Sequence, residues 1–250
     1  MIRHLYVHVP FCVRLCLYCG FFSEKMCASR ARRFVNALLE EARRVARKTV
    51  VCPQTVYFGG GTPTALDEDL LEDLLGGLAQ IVPGFSCAEE FTFEMNPATV
   101  DPAKVQLLRR HGVNRASLGA QSFDNTILRI LGRPHDAHAT RRTFRILRAA
   151  GFDNISLDLI FAVPGQSLAG WRNTLEEAIR LGPEHLSCYG LTAERGTPFW
   201  DKFRSGRFRS DEKLETVLFR ETQRVLSSAG YRQYEISNFS RPQRECLHNL

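Results

Sequence analysis

Three cysteines lie close together near the N-terminus, directly after a short apolar segment. Cys12, Cys16 and Cys19 fall within eight residues. A structural zinc site is normally closed by four protein ligands, often two Cys-x2-Cys pairs, and the sequence holds no second pair. A cubane iron-sulfur cluster is also held by thiolates, and three of them leave one iron open to a small molecule. The spacing favours such a cluster, with a zinc site that borrows a distant His, or three buried thiols, as the alternatives.

The elements that must position these cysteines alternate between strands and helices. Six segments have strand-like patterns: 5–9, 55–58, 91–94, 114–121, 155–160 and 185–189. Segments with helical spacing of apolar residues separate them: 29–48, 67–81, 102–111, 137–150 and 167–181. Alternation without hairpin signals predicts parallel strands joined by helical crossovers. Because a closed eight-unit barrel usually needs about 250 residues, we expect an α/β fold with an incomplete parallel (β/α)6 barrel.

Residues able to do chemistry lie late in these strands or just beyond them. Glu94, Gln121 and Asp158 come near the ends of three strands, and the Gly-Gly-Gly-Thr-Pro sequence of residues 59–63 follows the second strand. Active sites of α/β barrels assemble at this edge, from the carboxyl ends of several strands. A Rossmann fold is the rival architecture, but the glycine-rich turn lacks its spacing and does not follow the first strand.

The pattern changes after the sixth strand. The sequence predicts a loop rich in glycine and aromatic residues over 196–208, a helix over 211–229 and another strand over 230–236. We therefore divide the chain into a barrel core, 1–195, and a C-terminal extension, 196–250. Because the sequence stops without turn residues or a polar tail, we expect it to be truncated before a smaller C-terminal domain.

The composition is that of a globular protein, with 44% apolar and 24% charged residues. No apolar run approaches the ~18 residues of a spanning helix, and the N-terminus lacks the regions of a secretion signal, so we expect a cytoplasmic protein. The net charge of +6 lies in helix-like runs interleaved with acids. This pattern is typical of a solvated helix face and predicts no nucleic-acid partner, while attraction to an anionic membrane surface or to propionate-bearing ligands stays open.

The cysteine spacing and several further motifs resemble the radical S-adenosylmethionine (SAM) proteins. Within them the chain resembles the oxygen-independent coproporphyrinogen III oxidase group, and most of all its haem chaperones. The resemblance runs from Leu5 to Leu250, and its most specific pieces are the segments 8–12, 59–63, 118–123, 131–135, 157–160 with 164–166, and 234–237.

The resemblance implies a [4Fe-4S] cluster held by Cys12, Cys16 and Cys19, with the open iron chelated by the amino and carboxylate groups of SAM. In such proteins an electron from the reduced cluster cleaves SAM into methionine and a deoxyadenosyl radical. The resemblance also implies SAM contacts from these residues: Tyr6, Gly60, Gly61, Thr62, Glu94, Gln121, Arg133, Asp158 and Gly190. The simpler alternatives are that Glu94 and Asp158 cap neighbouring loops and that Arg133 pairs with a nearby acid.

Two positions separate the members of this group. The oxidases carry a fourth cysteine two residues beyond the third, whereas Cys19 is followed by Gly20 and Phe21. The haem chaperones carry a His-Asn-x-x-Tyr-Trp haem-binding motif, and His248-Asn249 matches its opening. Imidazole is a common axial ligand of haem iron, so His248 is a candidate haem ligand; the alternative is a surface histidine.

The sequence therefore predicts a protein that binds a cluster, SAM and haem and passes haem to an acceptor protein. The alternative within the group is the oxidase itself, which decarboxylates coproporphyrinogen III to protoporphyrinogen IX. A non-catalytic alternative is a zinc-stabilised binding domain with a basic surface.

Overall fold

The computed structural model describes residues 1–250. Ten strands form along the chain: β1 (Ile2–Val9), β2 (Phe11–Cys12), β3 (Glu24–Lys25), β4 (Val51–Gly60), β5 (Glu90–Met95), β6 (Arg115–Gln121), β7 (Ile155–Phe161), β8 (His185–Gly190), β9 (Arg232–Gln233) and β10 (Asn238–Ser240). Eight α-helices accompany them: α1 (Ala28–Lys48), α2 (Glu68–Ile81), α3 (Pro102–Arg110), α4 (Asn125–Leu131), α5 (Ala137–Ala149), α6 (Leu168–Leu181), α7 (Pro198–Arg204) and α8 (Glu212–Ser228).

Eight of the strands form one sheet in the order β1-β4-β5-β6-β7-β8-β10-β9. The first six pair in parallel and follow one another in chain order, whereas β10 runs antiparallel to β8 and β9 antiparallel to β10. The sheet is open, with β1 at one edge and β9 at the other. The predicted incomplete barrel of six parallel strands is thereby confirmed.

The two faces of the sheet have different chemistry, and β5 shows the pattern. Phe91 and Phe93 are fully buried in a core of 47 residues that also includes leucines of α2 and α3. Glu90, Thr92 and Glu94 alternate with them and therefore point to the opposite face. Apolar side chains thus attach the strands to the outer helices, while polar side chains occupy the inner face of the barrel.

Local caps explain why the predicted helix boundaries agree with the observed ones to within one or two residues. In seven helices the side chain of the N-cap residue accepts a hydrogen bond from a backbone N–H of the first turn; these residues are Asp67, Asp101, Asp124, Asp136, Ser167, Thr197 and Asp211. Such caps satisfy donors that have no partner within the helix.

Two predictions for the C-terminal extension are wrong in part. The predicted loop over 196–208 contains helix α7, because Thr197 caps it and Pro198 occupies its first turn. The predicted strand over 230–236 shrinks to the two residues of β9. The backbone turns after Gln233, where the Tyr234 N–H donates to the carbonyl of Asn238 at 3.1 Å, and then enters β10. The Tyr231 hydroxyl donates to the carbonyl of Pro183, and the Tyr234 hydroxyl bonds to Nε2 of His185.

The extension packs as part of the same body as the barrel. Leu218 of α8 and Phe239 of β10 belong to the main core, and Trp171 of α6 donates its indole N–H to Thr222 of α8 at 2.8 Å. No separate core marks the predicted division at residue 195, which stays a prediction.

The basic residues of α1 lie at the surface beside acids. Arg30 pairs with Glu24 at 2.9 Å, and Arg32 pairs with Asp73 of α2 at 2.9 Å. Exposed pairs of this kind contribute about 0–1 kcal/mol each to stability. None of the helices combines the length and the apolar character required to cross a bilayer.

Candidate cofactor site

The loop that carries the three cysteines is held against the glycine-rich turn. Gly61 donates its backbone N–H to Val9 at 2.8 Å, and Thr62 donates its own to Phe11 at 2.8 Å. The Thr62 hydroxyl also donates to the sulfur of Cys12 at 3.5 Å. The ends of β1 and β4 thereby fix the cysteine loop at the carboxyl edge of the sheet.

Glycine is required at two positions of this turn. Gly60 has a φ of +106°, and a Cβ there would lie 2.5 Å from the His8 ring. A Cβ on Gly61 would lie 2.8 Å from the carbonyl oxygen of Phe11. Only glycine adopts this backbone without strain and leaves space for the approach of the cysteine loop.

Arg133 connects the cysteine loop to the inner face of the barrel. One guanidinium nitrogen, Nη1, donates to the sulfur of Cys16 at 3.4 Å, and Nη2 donates to the carbonyl of Gly119 at 2.8 Å. The predicted alternative, in which Arg133 only pairs with a nearby acid, is not what the structure shows.

Two half-buried carboxyl groups lie on the inner face below the cysteine loop. Glu94 accepts hydrogen bonds from the Tyr57 hydroxyl at 2.9 Å and from the Gly60 N–H at 3.2 Å. Burial, together with the negative charge of Asp158, raises the pKa of Glu94 to about 7. Asp158 accepts from the Ser117 hydroxyl at 3.2 and 3.1 Å, and burial raises its pKa as well. A cationic ligand in this place would stabilise both carboxylates.

One cavity of about 710 Å³ unites most of the predicted site. Of the predicted residues, these eleven line it: Cys12, Cys16, Cys19, Gly60, Gly61, Thr62, Glu94, Gln121, Arg133, Asp158 and Gly190. Tyr6 and His248 lie outside this lining. Tyr6 stacks on Tyr57 with ring centroids 5.9 Å apart, and the His248 ring packs against both, 5.1 Å from Tyr57 and 6.4 Å from Tyr6. The volume is within the usual range for small-molecule sites.

The three thiols fit a cluster better than a single metal ion. No group of three His, Cys, Asp or Glu side chains is arranged to hold one ion. In a cubane each thiolate binds a different iron, so the sulfurs surround the cluster without converging on one point. Burial raises the pKa of Cys12 and Cys19, and a bound metal is what holds such thiols as thiolates. Donors such as Arg133 and Thr62 are typical partners of cluster sulfurs.

Sequence reasoning missed the far end of this cavity. Arg115, His185 and Ser187 line it from the inner face, and Cys246 and Asn249 line it from the C-terminal segment. The sequence signal that could have revealed the strand residues among them was the alternation of polar with apolar residues along each strand. We call residues 246–249 the C-terminal strap.

Comparison with known proteins identifies the family. The model of the radical SAM superfamily matches residues 6–178, more than half of the chain. The chain belongs to the radical SAM superfamily. Membership implies a [4Fe-4S] cluster and SAM as cofactors of the site described above, and the predicted family is confirmed.

Curated relatives of this radical SAM chain include two bacterial proteins named heme chaperone HemW. The protein from Bacillus subtilis is 34% identical over 250 residues, which cover 99% of this chain and 66% of the relative. That from Escherichia coli is 35% identical over 251 residues, which cover 98% of this chain and 65% of the relative. The chain thus spans just under two thirds of the length of these relatives.

Among solved structures, the radical SAM enzyme coproporphyrinogen III oxidase (HemN) of Escherichia coli has the same fold. It superposes with a TM-score of 0.89 at 27% identity, over 98% of this chain and 56% of that one. The resemblance to the coproporphyrinogen oxidase group, stated from motifs alone, is thereby confirmed.

Proposed function

We propose that this radical SAM protein is a haem chaperone that binds a [4Fe-4S] cluster, SAM and haem and transfers haem to an acceptor protein. The relatives named HemW support the proposal. So does Phe21, which stands where the oxidases of the group carry a fourth cysteine. We expect this function in the cytoplasm.

The geometry of His248 is the observation that carries the proposal. Its Nδ1 lies 2.8 Å from the Thr55 hydroxyl, which lies 3.0 Å from Nδ1 of His4. When Nδ1–H of His248 donates to the Thr55 hydroxyl, that hydroxyl donates its own proton to Nδ1 of His4. Nε2 of His248 then keeps a free lone pair. An acceptor on the other ring nitrogen of a histidine fixes the tautomer that binds a metal. The Tyr57 ring packs beside the imidazole and limits its rotation.

The cluster and SAM would occupy the cavity, which Tyr57 lines and His248 does not. Cys12, Cys16 and Cys19 would hold the cluster, which supplies the electron for SAM cleavage. Glu94 would accept from the ammonium group of SAM, and Arg133 offers a planar fork for its carboxylate. The haem site would thus be separate from the site for the cluster and SAM, as a protein that binds both requires.

A haem titration tests this proposal. Anaerobically purified protein is titrated with haem while the Soret band is recorded, and the loaded protein is then mixed with an apo-haem protein. We expect stoichiometric binding, a weakened complex in His248→Ala, and transfer to the acceptor. A wild-type protein that binds no haem, or a His248→Ala variant with unchanged spectrum and affinity, would refute the proposal.

Oxidation of coproporphyrinogen III is the second candidate, favoured by the close superposition on HemN. The test is anaerobic incubation of the cluster-loaded protein with SAM, a reductant and coproporphyrinogen III. Formation of protoporphyrinogen IX would establish the oxidase activity. If the protein binds haem but forms no protoporphyrinogen IX, the chaperone function is favoured.

A further inference from the structure

The C-terminal strap lies at the amino edge of the sheet, opposite the cysteine loop. Its partners include Glu90, the first residue of β5, and Thr55 of β4, which pairs with Glu90 in the sheet. Cys246 and Asn249 also line the cavity whose other end is formed by the cysteine loop. The strap therefore carries the candidate haem ligand and also contributes to the lining of the cofactor cavity.

One carboxylate holds the strap. Glu90 accepts the backbone N–H of Leu247 at 2.9 Å and that of His248 at 3.1 Å. The thiol of Cys246 donates to the same carboxylate at 3.3 Å. The three contacts come from consecutive residues, so they fix the backbone direction of the strap at His248.

Glu90 in turn depends on the strap for its hydrogen bonds, because its side chain is buried. Its side chain is only 4% exposed, and its single charged partner is Arg115, whose Nε lies 3.8 Å away. This Nε makes no hydrogen bond. A buried carboxylate is costly unless its oxygens are hydrogen-bonded. If the strap moved away, Glu90 would lose three donors and keep one poorly aligned cation, so the strap and the carboxylate stabilise each other.

We infer that Glu90 is the positioning residue of the haem site: by holding the N–H groups of Leu247 and His248 it places the His248 imidazole against Thr55 with Nε2 free for iron. This inference rests on the proposed function. Glu90 itself does not touch haem. Its role is to keep the ligand in one orientation, which lowers the entropy that haem binding would otherwise have to remove.

The test compares Glu90→Gln with Glu89→Gln. Glu89 is the neighbouring residue; it is exposed, and its side chain bonds only to Gln54. Glu90→Gln keeps the shape of the side chain but replaces one acceptor oxygen by a donor. Loss of a charge-assisted buried hydrogen bond predicts about a tenfold weaker haem complex. Its Soret band should move toward that of His248→Ala, and added imidazole should restore the wild-type spectrum in both variants. Glu89→Gln should behave as wild type.

Two further measurements separate positioning from a general loss of structure. Glu90→Asp is the milder variant and should show an intermediate affinity. Hydrogen exchange at the Leu247 and His248 amides should accelerate in both Glu90 variants while the amides of β5 and β6 stay protected. Cluster content should equal that of wild type.

The outcomes distinguish the inference from the function on which it rests. If Glu90→Gln kept the wild-type haem affinity and spectrum while His248→Ala lost them, Glu90 would not be a positioning residue and the chaperone would stand. If His248→Ala bound haem like wild type, the proposed function and this inference would fall together. If Glu90→Gln lost haem and also lost its cluster, with no rescue by imidazole, the role of Glu90 would be structural and the inference would be wrong.

Discussion

The hydroxyl of Tyr57 donates to Oε1 of Glu94 at 2.9 Å across the inner face of β4 and β5. This bond stabilises the ionised carboxylate, but burial opposes ionisation more strongly, and the pKa of Glu94 rises from 4.5 to about 7. The folded chain therefore keeps a proton on Glu94 over a pH window in which the unfolded chain has lost it.

The contribution of Glu94 to the stability of the metal-free, reduced protein should decrease as the pH rises through this window. Folded Glu94 keeps a proton that unfolded Glu94 has lost between pH 4.5 and about 7, so this carboxyl lowers the free energy of unfolding as the pH rises. The contribution of Glu94 is about 3 kcal/mol at full ionisation. In urea unfolding, the change in the free energy of unfolding from pH 5 to pH 8 should be less favourable to the folded state in wild type than in Glu94→Gln. Glu89→Gln is the control, and equal slopes in Glu94→Gln and wild type would contradict the raised pKa.

Replacement of any cluster cysteine should remove the brown absorbance of anaerobically purified protein. Cys12→Ala, Cys16→Ala and Cys19→Ala each delete one corner ligand, and two thiolates do not retain a cubane. Cys52 is exposed and lies outside the cavity, so Cys52→Ala should keep iron and sulfide at wild-type levels. Metal analysis checks the result, and zinc without iron or sulfide in wild type would favour the zinc-stabilised alternative.

Gly60→Ala should be more damaging than Gly165→Ala. Both glycines have positive φ, +106° and +83°, but a Cβ meets the His8 ring at 2.5 Å in the first and nothing within 4 Å in the second. Gly165→Ala should cost about 1 kcal/mol of stability from backbone strain alone. Gly60→Ala should cost about 1–3 kcal/mol more because the turn must move, and its cluster content should decrease with it. Equal unfolding midpoints for the two variants would contradict the close approach of this turn.

Arg133→Met should weaken SAM binding by about tenfold or more while the cluster is retained. The variant loses a planar, charged donor, and hydrogen bonds to charged groups contribute about 1.5–3 kcal/mol. Isothermal titration calorimetry with cluster-loaded protein measures the change. Arg129→Met is the matched control, because Arg129 is exposed on the same stretch of chain and bonds only to Thr126. Unchanged SAM affinity in Arg133→Met would show that Arg133 does not bind SAM.

Local signals account for the parts of the fold that could be predicted. Strands of the barrel follow from short apolar runs, and helix starts follow from capping residues such as Asp67 and Ser167, whose partners lie two or three residues away. Helix α7 was missed because its aromatic residues gave no clear period, although Thr197 and Pro198 marked its start. The strand expected over 230–236 is shorter because the backbone turns after Gln233, where the Tyr234 N–H donates to the carbonyl of Asn238 and leads the chain into β10.

The sequence by itself determined the family, the cysteine ligands and the alternation of strands and helices, since each depends on residues close together in the chain. Only the tertiary structure decided that Glu94 and Asp158 share one cavity, that the rings of Tyr6, Tyr57 and His248 pack together, and that Glu90 holds the strap. Glu90 and His248 are 158 positions apart. A contact of that separation leaves no periodic or spacing signal, because it exists only after the parallel sheet has brought the starts of its strands to one edge.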